Sequence, residues 1–162
     1  MVYFFFRPNG AVKIGYVRSE DLIYGYAGTK EVEGIFADKE ASRRSKLDTL
    51  RTEIMSEFSL GSKAAEGGQA MNEDQQLKLR NRELEYMGFA KAMEEESKNE
   101  EAEMMSGVLL QINSFVKQYA EDHGFSMILG TTSSGNILYG EAAMDITDDL
   151  LSSLNKNYLG TE

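Results

Sequence analysis

The chain has 162 residues, 41% apolar, 27% charged and 10% aromatic, which suits one ordinary domain and is too short for three. Seventeen Lys and Arg face twenty-seven Asp and Glu, a net charge of −10, and without a basic stripe this disfavours nucleic acid as a partner. With no Cys and a single His, disulfides, thiolate chemistry and multi-histidine metal sites are excluded, and no catalytic residue, metal ligand or cofactor is expected. No apolar run approaches the roughly 18 residues of a membrane span. The run Val2 to Phe6 before Arg7 and Pro8 is shorter than the apolar region of a signal peptide, and residues 1–11 read as an N-terminal extension.

Pro8 is the sole proline, so everything after it is open to long helices. The β-branched and aromatic stretch at 12–17 predicts a strand. Ser19 reads as the N-cap of a short helix with Glu20 and Asp21 in its first turn, ending near Gly25. A long helix is predicted over 29–60, where Val32, Phe36, Leu47, Leu50, Ile54 and Phe58 fit steps of three and four if Glu40 and Arg43 occupy two polar slots of the seam. The Gly-rich segment 61–70 breaks the pattern as the tip of a helical hairpin would. The return helix spans about 71–122. Met105, Val108, Ile112, Phe115 and Tyr119 keep strict spacing, whereas Lys91, Glu94, Lys98 and Glu101 on the same register interrupt the seam.

His123 and Gly124 form a C-cap pair. Segments 125–129 and 136–139 then read as two strands of a hairpin around Gly130 to Gly135. Thr147 is placed to N-cap a last helix with Asp148 and Asp149 at its positive end and Leu150, Leu151 and Leu154 on its apolar face. The fold class is therefore α+β: a helical hairpin over 28–122 on a small β body made of 12–27 and 123–159. A 53-residue body is marginal alone and exposes strand edges, so it is expected to associate with copies of itself. The return arm would reach roughly 75–80 Å, far beyond a core of that size.

The strand Lys13 to Val17, the long hairpin, the paired Met127-Ile128-Leu129 and Ile137-Leu138-Tyr139, and Asp145-Ile146-Thr147-Asp148 opening the final helix resemble the Skp/OmpH family of periplasmic chaperones. That resemblance implies a jellyfish-like homotrimer with helical tentacles round a cavity, holding unfolded outer-membrane proteins in the periplasm without ATP. The alternative is a structural or adaptor coiled coil without a client cavity, which would need a continuous seam.

Adaptable thioethers suit a promiscuous surface, so Met71, Met87 and Met93 are the candidate client contacts. Lys78, Arg80 and Arg82 form a basic cluster beyond the tip, the candidate contact for client, lipopolysaccharide or membrane surface. Ile14, Ile128 and Ile137 are assigned to self-association. The hairpin itself carries 13 Lys and Arg against 20 Asp and Glu, so apolar contact rather than charge is expected to hold the client.

Overall fold

The computed structural model describes residues 12–66 and 72–161. Its elements are β1 (Ile14–Arg18), α1 (Ser19–Gly25), α2 (Ala27–Glu66), α3 (Glu73–His123), β2 (Met127–Thr131), a short 3-10 turn (Ala142–Met144) and α4 (Thr147–Leu159). They divide into two compact units, one within Met1–Val32 and Met105–Glu162 and the other Glu33–Met104. The first unit thus takes in the start of α2 and the last turns of α3, because Val108, Ile112 and Tyr119 supply three of its eight buried apolar side chains.

In the first unit, β1 alternates as a half-buried strand should, with Gly15 and Val17 inward and Ile14 and Arg18 outward. A side chain at Gly15 would meet Phe125 and Ile146 at 3.0 and 3.1 Å, so only glycine lets both cover the strand. β2 pairs with β1 in parallel, Ile14 opposite Met127 through Arg18 opposite Thr131. Parallel strands need a long crossover, and here the three helices between them provide it. On the other edge of β1, Tyr16 bridges Asp145, and the Ile146 N–H donates to the Tyr16 carbonyl at 3.0 Å.

The strand predicted at 136–139 does not form. The Asn136 side chain accepts from the Thr132 N–H at 2.9 Å and donates to the Gly130 carbonyl at 2.7 Å, while Gly135 turns the chain at φ 78°. Backbone groups that an antiparallel ladder would use are consumed by this turn. The segment beyond it leaves Leu138 95% and Tyr139 83% exposed.

Two predicted caps also change. Ser19 and Thr147 are the first residues of their helices, not the caps, and Arg18 and Ile146 precede them without side-chain capping. Asp145 takes over the second role: its carboxylate accepts from the Thr147 N–H at 2.9 Å and from the Thr147 hydroxyl, which in turn accepts from the Arg18 N–H at 2.9 Å. At the other end of α3 the expected pair closes a Schellman turn, with Gly124 at φ 70° and the Phe125 N–H donating to the Ala120 carbonyl at 2.9 Å. Lys13 completes that end, donating to the His123 carbonyl at 3.0 Å with its ammonium 4.0 Å from the Phe125 ring centroid.

Asn155 of α4 fastens the break between α1 and α2. It accepts from the Ala27 N–H at 2.7 Å and donates to the Gly25 carbonyl at 3.1 Å. Around it Val17, Leu22, Tyr26, Val108, Ile112, Tyr119, Leu150 and Leu154 form the core.

In the second unit α2 and α3 pair as a hairpin. Its half-buried positions on α2 are Phe36, Glu40, Arg43, Leu47, Leu50, Ile54, Glu57 and Gly61, so Glu40 and Arg43 do take the polar slots, while Phe58 falls off the seam at 53% exposure. On α3 the set is Leu79, Arg82, Tyr86, Ala90, Met93, Ser97, Glu100 and Met104, one residue before the register expected from Met105 backwards. The inward positions step by four three times running between Glu100 and Ile112. A strict alternation of three and four cannot follow that drift of a 3.6-residue helix.

Candidate functional site

Among the described residues of the second unit no side chain is fully buried. Two helices alone present too narrow an interface to enclose their apolar residues, and Ile35, Met55, Phe58, Leu60, Leu77, Leu84, Met87 and Phe89 stand 39–69% exposed. Successive helix residues turn by about 100°, which places Leu77 and Leu84 on the face opposite the seam, with Arg80 and Met87 flanking them. Spacing of this kind, 77, 80, 84, 87, can be found in sequence by drawing a second register beside the first. Methionine content alone gives no sign of Leu77, Leu84 and Phe89, which are exposed on the same unit.

The sequence candidates fare unequally. Met87 is 57% exposed, Met93 is half-buried in the seam, and Met71 lies outside the described residues. Lys78 and Arg80 are exposed and form no ion pair among the described residues. Arg82 turns inward, pairing with Glu57 and, at 3.3 Å, with Glu53 of α2. The three cations therefore do not share a face. Two residues apart, Lys78 and Arg80 are separated by about 200° round the helix.

In the first unit Ile14 is 37% exposed, Ile137 is half-buried and Ile128 packs against its own core. The outer edge of β2 has no strand partner among the described residues. A groove of 700 Å³ between Tyr26, Leu110, Phe115, Leu154 and Tyr158 is lined without a charged residue.

His123 stacks on Tyr119 with centroids 3.9 Å apart, and its Nδ1 lies 2.9 Å from the Tyr119 carbonyl oxygen, a local contact along the helix. Among the described residues no group of three His, Asp or Glu side chains could hold a metal ion, and no helix is long and apolar enough to cross a membrane.

Fold and surface together define an α+β class with two units: a small body built on a parallel strand pair, and a long helical hairpin with large apolar side chains left exposed. The chain belongs to the OmpH-like outer membrane protein family, whose model matches residues 13–154. A crystal structure of a candidate outer membrane chaperone (OmpH-like) from Caulobacter crescentus has the same fold, with a TM-score of 0.77 at 16% identity over 97% of this chain and 92% of that one. No curated protein matches the sequence.

Proposed function

We propose that the chain is an ATP-independent holdase chaperone that keeps unfolded outer-membrane proteins soluble in the periplasm, and that it acts as a homotrimer. The observation that carries this reading is the set of large apolar side chains held outward on the second unit, in a chain of the OmpH-like family. Many shallow contacts and no deep pocket suit a client that must later be released and fold. The interrupted seam speaks against a simple coiled-coil adaptor, since its polar layer weakens the pairing that an adaptor would need.

Self-association is supported by the edge of β2, which has no strand partner among the described residues, and by the exposure of Leu138 and Tyr139. Open edges of this kind favour pairing with another chain, and Ile14, Ile128 and Ile137 are the residues proposed to take part. Lys78 and Arg80 are free to meet anionic groups of a client or of lipopolysaccharide, whereas Arg82 is already occupied.

The test dilutes a urea-unfolded outer-membrane β-barrel into buffer with and without the chain and follows light scattering, while sedimentation equilibrium measures assembly. Suppressed scattering near one trimer per client supports the reading. An 18.1 kDa monomer that leaves scattering unchanged overturns it.

A further inference from the structure

Within the second unit one layer of the seam is ionic, set between apolar neighbours. Phe36 and Met104 lie on one side of it, and Leu47, Leu50, Met93 and Tyr86 on the other. The Glu100 carboxylate accepts from both Lys39 and Arg43. Glu40 accepts from Arg43 at 2.8 Å and, across the seam, from the Ser97 hydroxyl at 2.6 Å. Two cations and two anions balance, and the Arg43 side chain is only 12% exposed, the least of any ion-pair member in the chain's described residues.

We propose that this layer is an acid-labile clasp, which holds the hairpin in one register near neutral pH and releases it when its two carboxylates are protonated. A slip of one heptad would set Met93 where Glu100 meets Arg43, stranding a guanidinium among apolar side chains. The apolar layers on either side impose no such penalty. Protonation strands charge in the same way, leaving Lys39, Arg43 and Arg44 close together without an anion.

The groups facing the carboxylates fix the sign. Hydrogen bonds from Ser97 and Arg43, with the Arg43 and Arg44 charges, hold Glu40 below its ordinary value of 4.5. Lys39 and Arg43 do the same for Glu100. Asp38 on α2 and Glu96, Glu101 and Glu103 on α3 are exposed. Depressed carboxylates contribute stability that is present above 4.5 and is lost as pH falls through the lowered values.

The chain has no native cysteine, so nitroxide labels at Ala37→Cys and Asn99→Cys, both exposed and outside the clasp, report the hairpin directly by pulsed electron resonance. The wild-type distance distribution should be narrow near neutrality and about twofold broader once acid has protonated the two carboxylates, well below pH 4.5. With Glu40→Gln and Glu100→Gln together it should already be broad at neutral pH and change little in acid. An apolar layer (Glu40→Ala, Arg43→Leu, Ser97→Ala, Glu100→Leu) carries neither carboxylate, so its distribution, whatever its width, should be the same near neutrality and in acid. A wild-type distribution that stays narrow in acid overturns the proposal. So does an apolar-layer variant that broadens as much as wild type, since other carboxylates would then be responsible.

Discussion

Thr29 is wholly buried, yet its hydroxyl has no hydrogen-bond partner among the described residues. An unsatisfied buried hydroxyl costs about 1–3 kcal/mol, and valine has nearly the same shape. Thr29→Val is therefore expected to raise the unfolding free energy by about 1 kcal/mol, read from a urea transition with unchanged slope. Asn155 is the reverse case, because its two hydrogen bonds satisfy backbone groups at the α1–α2 break. Asn155→Leu should lower stability by about 2–3 kcal/mol, and a loss within error would show that water replaces the amide freely. Asp145 adds a pH signature. Burial pushes its carboxyl up, but hydrogen bonds from the Thr147 hydroxyl and N–H, with Arg18 nearby, bring it below its ordinary 3.8. Its contribution is present above 3.8 and fades as pH falls through the lowered value, so Asp145→Asn should flatten that part of the acid unfolding profile.

At the scale of elements, the helices were legible because their signals are local. No proline follows Pro8, and Gly124 marks the end of α3. Strand pairing was not, since β1 meets β2 across more than a hundred residues, and nothing near Ile137 reveals that Asn136 will fold back on Gly130 and Thr132. Spacing also failed to reveal the site as it stands. Lys78, Arg80 and Arg82 look like a cluster in a string, but Arg80 lies on the other side of the helix from Lys78 and Arg82, and Arg82 is taken up by Glu53 and Glu57. The hairpin can be tested as an element by deleting residues 45–85. The deletion spares every core residue of the first unit, so the shortened chain should remain folded and self-associated while losing holding activity. Full retention of activity would move the client site to the body.

For the whole molecule the decisive question is which force holds a client. A net charge of −10 gives long-range repulsion toward acidic clients and favours apolar contact. Replacing Leu77, Leu84 and Met87 together by Gln should weaken client binding by about tenfold or more, given roughly 1.5–3 kcal/mol for a buried side chain of this size. Assembly should be unaffected. Raising salt from about 0.05 to 0.5 M, which shortens the Debye length from about 14 to 4 Å, should change affinity only slightly. A steep loss with salt, combined with a neutral triple variant, would transfer the role to Lys78 and Arg80.

The parallel pairing of Ile14 with Met127 also sets a timetable. At about 5–20 residues per second, a ribosome takes on the order of ten seconds to deliver β2 after β1 has emerged. For most of that interval Val17, Leu22 and Tyr26 lack their α3 partners, and throughout it they lack Leu150 and Leu154 of α4, while the contiguous arms of the hairpin can already zip together. Synthesis therefore keeps the first strand waiting until nearly the whole chain has been made, and a chain cut short before residue 127 has the arms of the hairpin but no strand to pair with β1 and no α4 to close the core.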